Sequence, residues 1–230
     1  MTKPYSETRD RVQVYFDQTA VKAWEALTNE TPVSAIRSKV RAGRQEMRNL
    51  LLSRLPNDLT GHSILDAGCG TGQMSIDLGM RGASVLGIDI SENLVNIAKE
   101  RLPNKLKSRV NFAVSDMIKD HGNFDHVVLM DSLIHYPEAD AMAVLSNLMR
   151  RTRKGILFTL VPTNSVLKFK LLVGRLFPRS DRSPVIVPLN IKSFIKMFDS
   201  RFKGKESFEM TSVGQVNKWF YTSEAIELKR

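Results

Sequence analysis

An acid followed by three glycines at alternate positions, Asp66-Ala67-Gly68-Cys69-Gly70-Thr71-Gly72, ends the apolar run Ile64-Leu65. A strand that runs into such a turn can bring backbone N–H groups against a ligand, because glycine admits positive φ and has no Cβ to hold the ligand away. The helix expected next adds the unsatisfied amides of its first turn. A dinucleotide turn would place glycine at position 73, where this chain has Gln73, so a pyrophosphate cradle is not what the spacing describes.

A doubly wound sheet that binds a nucleoside needs a second acid, at the end of its second strand, for the ribose hydroxyls. Ser84-Val85-Leu86-Gly87-Ile88-Asp89 supplies it. Asp89 is therefore the expected ribose ligand, with Ile90 beside it and Ser91 as a helix cap. Two more apolar runs, 110–114 and 124–130, lead to Asp116 and Asp131. Asp66 and Asp131 could instead cap helices. The single cysteine, Cys69, can form no internal disulfide, and the four histidines show no ligand spacing with it, so no metal is expected.

This series of acids resembles the motifs of class I S-adenosylmethionine-dependent methyltransferases. The resemblance implies that Asp66 faces the methionine end of the cofactor above Gly68, Gly70 and Gly72. It implies that Asp116 accepts from the adenine amino group while Met117 packs on the ring, with Asp131 completing the set. The expected fold is α/β, a doubly wound seven-stranded methyltransferase sheet. A closing hairpin is read at 206–213 and 216–222, turning at Gly214-Gln215.

Ahead of that domain, residues 57–230, lies an extension over 1–56 that reads as two helices, 5–29 and 32–55, broken at Pro32. The first carries Val12, Tyr15, Phe16, Ala20, Trp24 and Leu27, either core or the aromatic underside of a lid. In the second, Ile36, Val40, Gly43, Met47, Leu50, Leu51 and Leu55 form an apolar stripe. Arg37, Arg41, Arg44 and Arg48 run alongside it as a solvated face or an anion site. Ser132-Leu133-Ile134-His135-Tyr136-Pro137 puts a histidine where open α/β sheets bind ligands. There His135 can serve as proton acceptor or oriented donor, or merely organise its loop. After a fifth strand, 155–161, an insertion over about 164–188 mixes cations with leucine and phenylalanine, suiting a membrane surface or a pocket for a large apolar acid.

The 230 residues, 42% hydrophobic and 25% charged, suit a globular enzyme. With no apolar signal region at the start and no spanning run, a cytoplasmic protein is expected. Its net charge of +10 attracts nucleic acid, anionic lipid or an acidic ligand. The insertion, Tyr15-Phe16-Asp17-Gln18-Thr19-Ala20, Val40-Arg41-Ala42-Gly43-Arg44, the glycine turn and Leu133-Ile134-His135-Tyr136-Pro137 together resemble the magnesium-protoporphyrin IX O-methyltransferases of bacteriochlorophyll and chlorophyll synthesis.

That resemblance implies esterification of one propionate of magnesium protoporphyrin IX, the magnesium arriving inside the substrate. It makes His135 and Tyr15 the candidate catalytic residues. Arg44, Arg179 and Arg182 are then candidate propionate ligands, and Trp24, Tyr136 and Phe177 candidate walls for the ring. Hand-over from magnesium chelatase and peripheral contact with the photosynthetic membrane follow as expectations. An RNA methyltransferase, favoured by charge alone, and a non-catalytic adaptor are the alternatives. No nucleic-acid module or amine-methylating motif supports the first, so no nucleic-acid partner is expected.

Overall fold

The computed structural model describes residues 5–19, 35–163, 186–202, 204, 207–218 and 221–230. Trp24, Phe177, Arg179 and Arg182, with nearly all of the insertion, lie outside the described residues.

Five parallel strands form the centre: β1 (Ser63–Ala67), β2 (Ser84–Asp89), β3 (Val110–Val114), β4 (Phe124–Leu129) and β5 (Thr152–Leu160). Two more, β6 (Glu209–Lys218) and β7 (Tyr221–Lys229), complete a sheet ordered β3-β2-β1-β4-β5-β7-β6, with β7 antiparallel to both its neighbours. The strand order reverses direction between β1 and β4, which opens a crevice at the carboxyl ends of those strands. Their sequences read as near-continuous apolar runs because helices cover both faces.

On one face α2 (Ala35–Ser53), α3 (Gln73–Met80) and α4 (Glu92–Arg101) bury Met47, Leu51, Leu78 and Ala98 against Val85, Val110 and Val128. On the other, α5 (Glu138–Met149) and α6 (Ile191–Phe202) bury Leu145, Phe194 and Phe198 against Leu65, Val127 and Phe158. The helix α1 (Tyr5–Val14) passes into a π-helical turn, Tyr15–Thr19. It docks at the carboxyl edge of the sheet, where Ser91 Oγ donates to Asp17 Oδ1 at 2.6 Å.

The closing hairpin departs from its expected register. Gly214 and Gln215 lie inside β6, and the chain reverses after Lys218. The pairing shifts between Ser212 and Gly214, so the glycine absorbs a bulge in a continuing strand, a common second use of an isolated strand glycine. The fifth strand likewise begins earlier than expected, at Thr152. The apolar stripe of α2 packs against β6 and β7. At Gly43 the contact is so close that a Cβ would stand 2.7–2.9 Å from Cδ1, Cβ and Cγ of Tyr221.

Gly43→Ala therefore forces α2 off β7, and we expect a loss of about 1–3 kcal/mol of stability in spite of alanine's better helix propensity. Urea unfolding measures it; an unchanged midpoint would mean that the helix has room to spare.

Candidate active site

A cavity of about 410 Å³ opens at the carboxyl ends of β1, β2 and β4. That volume falls within the range of small-molecule sites. Its floor is the glycine turn. Gly68 and Cys69 donate N–H to the Ile88 carbonyl at 2.8 and 2.9 Å, which ties the turn to β2. Gly68, Gly70 and Gly72 have φ of 85°, 53° and 85°. A Cβ on Gly68 would meet Ser132 Cβ at 2.5 Å, so glycine is needed there both for conformation and for space.

Asp66, near the end of β1, is 1% exposed and accepts from Ser75 Oγ at 2.6 Å. Burial raises its pKa to about 7, with the Ser75 bond opposing the shift and the Asp89 charge adding to it. Asp89 solves the same problem differently. Its Oδ2 accepts from the Gly70 N–H at 2.9 Å and its Oδ1 from the Ser91 N–H at 3.0 Å. Burial still pushes its pKa up, against those two amide bonds. The Cys69 thiol beside them is pushed well up by burial, which leaves it a small unreactive packing residue.

Asp116 is held by the N-terminal helix. Tyr5 Oη donates to its Oδ1 at 2.7 Å, and Arg9 Nη1 reaches its Oδ2 at 3.1 Å. Ser115 and Met117 line the cavity on either side of it, and Asp116 is turned toward α1. The Tyr5 ring stacks on Tyr136, centroids 5.2 Å apart, and the hydroxyl of Tyr136 is buried with no well-formed hydrogen bond among the described residues. Tyr136 also lines the cavity.

His135, 4% exposed, lines the cavity with the edge of Phe16 against its ring at 5.8 Å. The two adjacent aromatics of the π turn lie differently. Phe16 and Val12 line the cavity, while Tyr15 packs against the cluster that they form with Leu94. A π turn holds more residues than an α turn, so a 3.6-residue pattern cannot tell which of two adjacent aromatics points inward. Ile90 lines the cavity as expected.

The arginine stripe of α2 forms one wall, through Arg41, Arg44 and Arg48. Arg44 Nη1 lies 3.3 Å from Asp131 Oδ2, and Arg48 Nε lies 2.8 Å from Asp77 Oδ2. Asp131 has φ of 57°, a conformation rare for a residue with a side chain. Its Oδ1 accepts from Tyr221 Oη at 3.0 Å. Gln45, Thr71, Gln73, Met74, Leu94, Met130 and Ser132 complete the lining, and sequence reasoning gave none of them a ligand-binding role. Gln45 carried a signal, since it follows Arg41 and Arg44 on one helical face, and Thr71 and Ser132 lie inside the two motifs read for their glycines and histidine.

The cavity is thus acidic at the glycine turn and cationic along α2, with His135 and an apolar slot between. It suits a ligand with a cationic end and a nucleoside, next to an acid. Among the described residues no cluster of three His, Cys, Asp or Glu side chains could hold a metal, and no helix is long and apolar enough to cross a membrane.

Residues 129–230 match the family model of the magnesium-protoporphyrin IX methyltransferase C-terminus, and residues 64–155 match a methyltransferase domain. The chain is 44% identical, over 100% of both sequences, to the magnesium-protoporphyrin O-methyltransferase of Rhodobacter capsulatus. It is 29% identical to the chloroplastic magnesium protoporphyrin IX methyltransferase of Arabidopsis thaliana, covering 95% of this chain and 70% of that one. The crystal structure of magnesium protoporphyrin IX methyltransferase from Synechocystis PCC 6803 with bound SAH superposes with a TM-score of 0.82 at 28% identity, over 95% of this chain and 98% of that one.

The raised pKa of Asp66 makes a prediction about the protein alone. The unfolded carboxyl releases its proton near pH 4 and the folded one near 7, so between these values the folded state binds more protons and stability falls as pH rises. Asp66→Asn removes that slope. The variant should gain stability relative to the parent as pH goes from 5 to 8, read from denaturant midpoints; parallel curves would mean a carboxylate ionised throughout.

Proposed function

The chain belongs to the magnesium-protoporphyrin IX O-methyltransferase family, and from that premise we propose how its own residues divide the work of a carboxyl methyl transfer. It is an S-adenosylmethionine-dependent methyltransferase that esterifies magnesium protoporphyrin IX in bacteriochlorophyll and chlorophyll synthesis. The observation that carries the division of labour is the opposed charge of the cavity walls, carboxylates at the glycine turn and arginines on α2.

When bound, the cofactor supplies a methyl group activated on a sulfonium. The residues present fit it. Gly68, Gly70 and Gly72 hold the positive-φ backbone of the turn, with a Cβ on Gly68 or Gly72 striking Ser132 or Phe112, Asp66 is a buried acid ready to ionise beside a cationic amino group, and Asp89 stands where ribose hydroxyls are bonded. Ile90 and Met117 flank the nucleoside. Asp116 serves the adenine end indirectly: by holding Tyr5 and Arg9 it fixes α1 over the site. Asp131 acts on the arginine side, through Arg44.

A propionate is ionised at neutral pH, so the enzyme has to align and dehydrate it and has little need of a strong base. His135, backed by Phe16, orients the attacking oxygen, while Arg44 neutralises the carboxylate and Tyr136 supports the ring. Tyr15 supports Phe16 from behind. The extension over 1–56 acts as the lid that keeps water from the reacting atoms. Trp24, Phe177, Arg179 and Arg182 are assigned to the rest of the macrocycle site by the family resemblance alone. The net charge of +10 supports peripheral contact with an anionic membrane, where magnesium chelatase would hand over this poorly soluble substrate.

Three outcomes are expected. Labelled methyl donor should place label in magnesium protoporphyrin and none in bulk RNA; label in RNA alone would overturn the reading. His135→Ala should depress turnover at least tenfold and spare cofactor affinity, whereas wild-type turnover would make His135 structural. Cofactor affinity, measured by calorimetry, should rise with pH through about 7 as Asp66 ionises, and Asp66→Asn should flatten that rise. A wild-type profile with no pH dependence would detach Asp66 from the cofactor's cationic end.

A further inference from the structure

Tyr221, at the start of β7, has no part in the division of labour above, yet it reaches the active site from the far side of the sheet order. Its ring is buried against Gly43 of α2. Its hydroxyl goes further and donates to Asp131 Oδ1 at 3.0 Å. Phenylalanine would fill the space beside Gly43 equally well, so packing alone does not explain the hydroxyl. Burial and the Asp131 charge hold the phenol's pKa well above its ordinary value, and Tyr221 therefore remains a donor at every physiological pH.

Asp131 is held from three sides. Its N–H donates to Thr159 Oγ1 at 2.8 Å, its Oδ1 takes the Tyr221 bond, and its Oδ2 faces Arg44 Nη1 at 3.3 Å. The positive φ of Asp131 persists because β5, β7 and α2 each fix part of it. Asp131 and Arg44 both line the cavity, and Tyr221 does not.

We propose that Tyr221 is a positioning residue for the carboxylate substrate: its hydroxyl fixes Asp131, and Asp131 sets the plane in which the Arg44 guanidinium meets the reacting propionate. The inference rests on the reading that Arg44 binds that propionate. A guanidinium has five N–H donors in a rigid fork, enough to serve an internal and an incoming carboxylate. Fixing its plane beforehand removes much of the ordering cost that a free arginine pays on binding. The opening residue of the last strand thus acts at the acceptor end of the site, with no contact to the cofactor's end.

The test is a double-mutant cycle read by pigment binding. Magnesium protoporphyrin IX is titrated into protein saturated with S-adenosylhomocysteine, following the shift of the main porphyrin absorption band, for the parent, Tyr221→Phe, Arg44→Ala and the double variant. Tyr221→Phe should weaken pigment binding about tenfold and leave S-adenosylhomocysteine affinity unchanged. It should cost nothing further in the Arg44→Ala background, since the effect passes through the arginine. Thr159→Val, which strips another hydroxyl from Asp131 without touching the Gly43 contact, should weaken pigment binding in the same non-additive way. Unchanged pigment affinity in Tyr221→Phe, or losses that add, would overturn the proposal. An Arg44→Ala protein that binds pigment like the parent would instead remove the Arg44 reading beneath it.

Discussion

Carboxylates buried at the ends of parallel strands are the constraint around which this molecule is arranged. Each loses its hydration on folding, and an unpaired buried charge costs several kcal/mol. Four acids meet that cost in four ways. Asp66 keeps its proton to about pH 7 and takes one hydroxyl bond. Asp89 takes two backbone N–H groups, one from the glycine turn itself. Asp116 draws in Tyr5 and Arg9 from the N-terminal helix, and Asp131 draws in Arg44 and Tyr221 from α2 and β7. Meeting these demands assembles the site: the turn is braced, α1 is fixed at the sheet edge, and the arginine helix is swung to face the cavity.

The differences among the four also assign their uses. A carboxyl kept close to neutrality, with its hydrogen bonding from Ser75, is the one most responsive to an arriving cation. A carboxylate supplied by main-chain donors stays in place and still has lone pairs to offer a ribose. The two that recruit distant side chains tie α1, α2 and β7 to the strand ends. The fold has used the charge of Asp116 to anchor the covering helix, and Ser115 and Met117 are left facing the cavity.

How much of this the sequence discloses depends on whether the determinant is local. The glycine turn, the acids at Asp66 and Asp89 and the parallel strands are local patterns with a fixed period, and the structure has them within about three residues. The arginines of α2 were visible as a stripe, but whether they faced water or a ligand depended on β6 and β7, more than 150 residues away. Tyr5 with Asp116, and Tyr221 with Asp131, are pairs 111 and 90 residues apart and leave no trace in any window. Gly214 misled for a related reason. A glycine beside a polar residue reads as a turn, whereas here it relieves a bulge and lets Leu50 pack closely, at 3.4 Å from where a Cβ would stand. Tyr15 and Phe16 fall in one stripe by sequence, and the π turn changes the helical phase just where they sit, so that Phe16 lines the cavity.

Charge placement then connects the fold to the reaction. A chain with a net charge of +10 is expected to collect polyanions indiscriminately, and charge alone favoured RNA. At the cavity the charge has a definite geometry. Arg41, Arg44 and Arg48 are turned toward a concave site beside apolar residues, with Asp131 and Asp77 partly neutralising two of them. Such a wall offers a nucleic-acid backbone no continuous basic track of the kind that phosphate binding uses. It offers an acid on a greasy body oriented guanidinium groups inside a low-dielectric cleft, where the interaction is strong because water is scarce. The same desolvation that makes the strand-end acids expensive to bury strips water from any carboxylate that enters this cleft, and loss of hydration favours its attack.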